Sequence, residues 1–549
     1  MTGRGGVVCP SVREQAACSG RIAAAGVFPH LRFCSRLFTN RSRQLEAPGS
    51  CSMNRSTSRL AYCGRFRSVM ITGGAMRQAV TFRDFRQIVR RYRPPDLLPR
   101  LAKLACDMGE PPYDVQRLRL ISPWAIALVA RESILWGNEF RRPDVTDDAL
   151  RTVFNAFNNL DEDVDSSPNV AYSLLTRIAY EQFPYHESLF EEVSRVQAML
   201  VEGLGDIDAE VLSDRAWNEL LGASIGHTVG ATFLLQVGAN NNQGWFRRDF
   251  LDNPGMQAVY GLWPRDVVER RLDDLTCSFG EFRTAYNAAP RPARGMEKYS
   301  YNPLTSNPFV MMPNGERLAP QPRLILRTVT PGGLYYKGIK RWGEPFARDL
   351  GKLTERYVGL QLRGLDGARV LGEVTYTYGK QKIKSVDWFL ILPNLVVMFE
   401  VKSSRLGLLG RAAVEGFEEG VRTVLGKAVG QLIRTDEALS MGRQEFEGIP
   451  ADRRRIGIVI TAEPYYLANT PWVRELIQKA TFPTLTASLR ELEQLVTLSL
   501  GDLERQLLEI VDDPERSTWN LANALNHAKV GSRNHILDRS WRKYPWPDI

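Results

Sequence analysis

Metal-binding and disulfide signatures are missing from this chain. Seven cysteines are present, at 9, 18, 34, 51, 63, 106 and 277, and five of them fall in the first 70 residues. No Cys-x-x-Cys pair occurs and the five histidines are scattered, so a zinc site has no support. Cys106 and Cys277 stand alone in the body of the chain, which argues against a disulfide framework and fits a reducing compartment. There is no Gly-rich loop ending in Lys-Ser or Lys-Thr; Pro331-Gly-Gly333 reads as a turn, and nothing suggests ATP use. Apolar runs are short as well. The longest candidate, 389–399, is interrupted by Pro393 and Asn394 and falls short of the roughly 20 residues that span a bilayer, so no membrane segment is expected.

Charge is also absent where the total suggests it. The net charge is +9, but residues 1–70 hold eleven arginines, no lysine and only two acids, Glu14 and Glu46. The remainder is therefore neutral, and any nucleic-acid groove has to come from local clustering of cations.

Residues 1–75 carry no sustained apolar period and read as a disordered Arg-, Ser- and Cys-rich leader. Either translation starts downstream, at Met70 or Met76, or the leader is an organellar import signal; cytoplasmic localisation is expected in the first case. Residues 76–290 show helical spacing, for example Phe82, Phe85, Ile88 and Val89, punctuated by prolines. Prolines and aromatics accumulate over 291–345, an ordered connector in which 324–329 could add a strand. From 346 to 485 the pattern is helix, strand (369–378), strand (386–392), strand (395–402), helices (411–440), strand (456–461) and helix (471–480). Residues 486–549 read as closing helices and a basic-aromatic tail. The chain is long enough for two or three domains.

The most informative stretch is Ser385-Val-Asp-Trp-Phe-Leu-Ile-Leu-Pro-Asn-Leu-Val-Val-Met-Phe-Glu-Val-Lys402. Two apolar strand-like runs flank Pro393-Asn394. If those two residues form a tight turn, Asp387 lies opposite Glu400. Lys402 shares the face of Glu400, because side chains alternate along a strand. Charges in such an apolar setting are costly unless paired or bound to metal. Two carboxylates and an ammonium on one patch can hold a divalent ion, a water and a phosphate.

An acid, then about a dozen residues, then Glu-x-Lys at the end of an apolar strand resembles the core motif of the PD-(D/E)xK nucleases, the restriction-endonuclease-like phosphodiesterases. Phe346-Ala-Arg-Asp-Leu-Gly-Lys-Leu-Thr-Glu355 resembles the family's first helix, Ala428-Val-Gly-Gln431 the helix after the catalytic strand, and Ile456-Gly-Ile-Val-Ile-Thr461 the next core strand. Val386 stands where the family's proline is expected. The resemblance covers about residues 340–485. It implies an α/β restriction-endonuclease-like sandwich, a mixed central sheet flanked by helices, in the C-terminal half, behind a mainly α-helical N-terminal domain.

It further implies a Mg²⁺- or Mn²⁺-dependent nuclease, with DNA favoured over RNA as substrate. Asp387, Glu400 and, through water, Glu355 would hold the metal; Lys402 would act on the attacking water; Gln431 would bond that water or a phosphate. Glu373 is a candidate supporting acid. Lys380, Lys382 and Lys384 alternate beside Tyr376 and Tyr378, and basic residues interleaved with aromatics can follow a phosphate backbone; Arg405 and Arg411 are further candidate contacts. The competing expectations are solvated surface charges at these positions and a non-catalytic nucleic-acid-binding or sensor protein on a retired nuclease core. The helical half could also bind a partner protein.

Overall fold

Helix starts in the N-terminal half fall where short polar side chains can accept the free N–H groups of a first turn. In the computed structural model, which describes residues 79–546 apart from 141–142, 162–167, 292–295, 379, 407–416, 527–529 and 532, Thr81 caps the helix Phe82–Val89 and Thr146 caps Asp147–Asn158. Ser122 caps Pro123–Trp136, with Pro123 at the position where a missing N–H does no harm. Phe85, Leu101, Ile126, Val153 and Phe154 from these helices and from Pro94–Met108 meet in one core. The expected leader, 1–75, and Arg411 lie outside the described residues.

The helical half also contains short strands that periodicity does not announce. β1 (Trp245–Phe246), β2 (Thr276–Cys277), β3 (Phe309–Met311) and β4 (Arg317–Leu318) form a sheet of order β1-β4-β3-β2. Two or three residues are too few to display an alternation. The strand expected over 324–329 is instead the helical turn Arg323–Arg327. Arg323, Leu324, Ile325 and Leu326 are all buried, so the run has no exposed strand face, and the Leu326 N–H bonds Gln236 Oε1 at 3.0 Å.

One apolar stretch was also longer than expected. Residues Asp214–Asn241 are long and apolar enough to cross a membrane by composition alone. They are interrupted at Gly222, which ends the helix Asp214–Leu221 with φ +74° before Ile225–Asn241 begins. Trp217, Val229 and Leu235 are buried within the protein.

α1 (Leu189–Val196), from the helical half, packs with the C-terminal half, which is built on α2 (Glu344–Arg363), β5 (Arg369–Gly372), β6 (Thr375–Tyr378), β7 (Gln381–Lys384), β8 (Trp388–Ile391), β9 (Leu395–Lys402), α3 (Lys427–Ser440), β10 (Arg454–Thr461), β11 (Thr484–Ser488), α4 (Leu489–Leu495) and α5 (Leu500–Asp512). A five-stranded mixed sheet has the order β11-β10-β9-β8-β5. β5, β8 and β9 are antiparallel neighbours; β9, β10 and β11 run parallel. β9 and β10 are buried along nearly their whole length, as expected of parallel strands covered on both faces. Leu395, Val397, Phe399 and Val401 face α2, while Val396 and Met398 pack with Ala428, Val429 and Leu432 of α3.

The chain from 369 to 378 does not form one strand. Ser385 intervenes: its N–H bonds the Val374 carbonyl at 2.9 Å and its hydroxyl accepts the Val374 N–H at 2.8 Å, and β6 leaves to pair with β7 as a separate ribbon. At the other boundary, the expected helix from 486 begins at Leu489, because 484–488 is the edge strand β11. Ser488 and Glu491 then cap α4 reciprocally. One core joins Val193 and Val196 of α1, Leu353 and Tyr357 of α2, the α2-facing side of the sheet, Leu503 and Leu507 of α5, and Tyr544. The described chain therefore packs across positions 290, 345 and 485.

Candidate functional site

Pairing in the β8–β9 hairpin sets the site. Trp388 lies opposite Phe399, Phe389 opposite Met398, Leu390 opposite Val397 and Ile391 opposite Val396. The Leu392 N–H closes the Pro393-Asn394 turn on the Leu395 carbonyl at 2.8 Å. Continued by one residue, that register puts Asp387 across from Glu400, as the sequence predicts. Asp387 itself sits just before β8, and its Oδ2 accepts the Val401 N–H at 2.7 Å. Phe389 and Ile391 belong to the α3-facing core with Val396 and Met398, so alternation places Asp387, Glu400 and Lys402 on that same side of the sheet.

Glu400 is only 1 % exposed. Its Oε1 accepts from the Lys402 ammonium, while Oε2 is buried without a hydrogen-bond partner. Burial first, then the neighbouring Asp387 charge, pushes the Glu400 carboxyl up to about 8 against the partial relief that Lys402 provides. Burial likewise raises Asp387 to about 6, opposed by the Val401 N–H and by Lys402. Lys402 retains 24 % of its side-chain exposure and so reaches solvent from the mouth of the site.

Glu355 comes from α2, on the other face of the sheet, yet belongs to the same electrostatic group. Burial and the charges of Asp387 and Glu373 push it up to about 7, offset by Lys402 and Lys384. Its backbone carbonyl accepts the Trp388 indole N–H at 2.8 Å, which ties α2 to the start of β8. Glu373 pairs with Lys384 at 3.0 Å at the junction of β5 and the ribbon.

Gln431 is placed beneath the site. Its amide donates to the Ser385 carbonyl at 2.7 Å, two residues before Asp387. One turn further along α3, Thr435 Oγ1 accepts the Val386 N–H at 3.1 Å. Ser385 and Thr435 are fully buried. With Gln431 they fix the backbone that delivers Asp387. Neither was singled out from the sequence, since a lone Ser or Thr carries no pattern; only the spacing Gln431-x-x-x-Thr435, one face of a helix, hinted at it.

The candidate phosphate contacts divide. Lys380, Lys382 and Lys384 are exposed on the ribbon. Arg405 is turned inward: its side chain is 7 % exposed, pairs with Glu463 at 3.1 Å and lies over the Tyr335 ring. This placement corrects its expected role as a surface contact, since the neighbouring acid and ring already occupy the guanidinium.

Among the described residues, no group of three or more His, Cys, Asp and Glu is gathered to hold a metal ion. The donor set nevertheless fits a hard divalent cation of the magnesium type, which binds through one or two carboxylates and keeps several waters. Asp387 and Glu400 are the two carboxylates, and Glu400 Oε2 is a buried anionic oxygen with no partner. No protein-family model matches the chain, and no curated protein matches it.

Proposed function

We propose that this protein is a metal-dependent phosphodiesterase acting on nucleic acid, with DNA the favoured substrate, and that its C-terminal half is a restriction-endonuclease-like nuclease core. One observation carries the reading: a buried glutamate, Glu400, keeps one oxygen unpartnered while facing a second acid across a hairpin and sharing its strand face with a lysine. Leaving a buried carboxylate oxygen without a partner costs about 1–3 kcal/mol or more, and a bound cation would supply that partner. The element order supports the same reading. An acid-bearing helix, three antiparallel strands, a Gln-bearing helix and a parallel strand follow one another as the resemblance implies.

Asp387 and Glu400 would hold a Mg²⁺ or Mn²⁺ ion, and Glu355 would bond its water shell. Such an ion polarises a phosphoryl oxygen and lowers the pKa of a bound water. Lys402 then has two tasks. It holds Glu400 in place, and from the mouth of the site it orients the attacking water and offsets the negative charge that develops on the phosphoryl oxygens. Gln431, Ser385 and Thr435 act through Asp387 as positioning residues. The test is incubation of the full chain with linear, circular and single-stranded DNA and with RNA, in Mg²⁺, Mn²⁺ or EDTA. Cleavage dependent on metal is expected; no cleavage of any substrate under any metal condition would contradict the reading.

A further inference from the structure

The ribbon β6–β7 stands apart from the five-stranded sheet, and its two faces differ. Tyr376 is 1 % exposed and packs edge-on against Phe446 at 5.2 Å, with Ile383 beside it. Register pairs Thr375 with Lys384 and Thr377 with Lys382, so these four residues share the opposite face, and all four are exposed. Lys380 lies in the turn just before β7 and is also exposed. Lys382 and Lys384 are spaced about 6.6 Å apart, twice the rise of a strand.

The ribbon is anchored where its backbone would otherwise be free. Arg443 donates to the Thr377 carbonyl, Glu445 Oε1 accepts the Thr377 N–H at 3.1 Å, and the Tyr376 hydroxyl donates to the Arg434 carbonyl at 3.3 Å. At its other end the ribbon runs from Lys384 through Ser385 and Val386 into Asp387. Lys384 is close enough to favour the ionised forms of Asp387 and Glu355. Glu373 occupies Lys384, whereas Lys380 and Lys382 have no acid partner among the described residues.

We infer that the lysine face of the β6–β7 ribbon is a track that holds the phosphate backbone of a nucleic-acid strand and leads it to the Asp387–Glu400–Lys402 site. Charge selects the occupant: a row of exposed cations, with hydroxyls of Thr375 and Thr377 among them, matches a linear polyanion and offers no apolar surface to a protein segment. The inference rests on the phosphodiesterase reading only for where the strand is led; the track rests on the ribbon itself.

The test uses the full chain with Lys380→Ala and Lys382→Ala combined. A control removes two exposed cations elsewhere, Arg151→Ala with Arg215→Ala, whose side chains are 77 % and 89 % exposed. Binding of a fluorescent single-stranded oligonucleotide is followed by anisotropy in EDTA over a range of salt. Losing two phosphate contacts should lower the slope of log affinity against log salt by about 1.4, at about 0.7 per contact, with the control unchanged. An unchanged slope would overturn the track. So would an absence of oligonucleotide binding by the wild type, or displacement of the oligonucleotide by polyglutamate of equal charge as readily as by unlabelled DNA. Cleavage in Mg²⁺, run in parallel, separates the two ideas. A cleaving wild type whose slope is indifferent to the lysines leaves the nuclease reading standing without the track. A lysine-dependent slope in a protein that cleaves nothing leaves the track without the nuclease.

Discussion

Glu400, Glu355 and Asp387 are carboxyls whose folded surroundings favour the protonated form, with values pushed up to about 8, 7 and 6 from ordinary values of 4.5, 4.5 and 3.8. Between the ordinary and the raised values the native state binds more protons than the unfolded chain, so stability falls as pH rises. The contribution is present in full below about pH 4 and is lost as pH climbs through 6 to 8. The metal-free protein should therefore melt progressively lower from pH 5 to pH 8, and Mn²⁺ should restore more stability at pH 8 than at pH 5. Thermal melts in EDTA and in Mn²⁺ check this; a metal-free melting temperature that rises toward pH 8 would contradict the assigned burial. Glu400→Gln removes the buried charge. It should flatten the fall in stability between pH 5 and pH 8 and lose the response to Mn²⁺.

At the scale of elements, the hairpin decides whether the acids meet. A one-residue slip sends every side chain of a strand to the other face. One residue inserted between Pro393 and Asn394 should either lower Mn²⁺ affinity by at least about tenfold, or roughly 1.4 kcal/mol, or be absorbed as a bulge. Calorimetry on the variant, with its structure, distinguishes the two; unchanged affinity without a bulge would separate Asp387 from Glu400. The clamp on α3 is tested by Thr435→Val, which leaves the buried Val386 N–H unpaired and should cost about 1–3 kcal/mol in a denaturant melt. A variant as stable as wild type would show that another group satisfies that N–H.

This hairpin was the most legible part of the chain. An apolar run around Pro-Asn specifies strand, turn and strand, and the pairing then follows by arithmetic. β11 was less legible: Thr484-Leu-Thr-Ala-Ser488 is short, and the helical period of α4, which starts at the next residue, masks it. β1 to β4 were illegible because two or three residues show no period, and β1 and β2 find their partners far along the chain. The inward turn of Arg405 depended on Glu463 and Tyr335, tertiary neighbours that local pattern does not encode.

For the whole molecule, a buried polar network joins segments far apart in the chain. Arg195 of α1 makes two hydrogen bonds of 2.6 Å to the Glu493 carboxylate of α4, and Glu493 also accepts from the Tyr357 hydroxyl of α2 at 2.6 Å. Gln361 donates to Tyr357 at 2.8 Å, and Asn534 donates to Gln361 at 2.7 Å. Arg195 and Glu493 are 3 % and 4 % exposed. Glu493→Ala leaves Arg195 with Glu192 at 2.6 Å but takes the acceptor from the buried Tyr357 hydroxyl, so it should destabilise the protein by about 1–3 kcal/mol. A Glu493→Ala protein with wild-type stability would show that the network does not bind these segments together.

The central claim is that the acid pair and lysine of one hairpin form a phosphodiesterase site. Its most direct test is Mg²⁺-dependent cleavage of DNA by wild type and Lys402→Ala side by side. Loss of the group that acts on the water should reduce the rate by about 10²–10⁴-fold, while Lys402→Ala, unlike Asp387→Ala, still binds Mn²⁺ in calorimetry. Equal cleavage by Lys402→Ala and wild type would contradict the account.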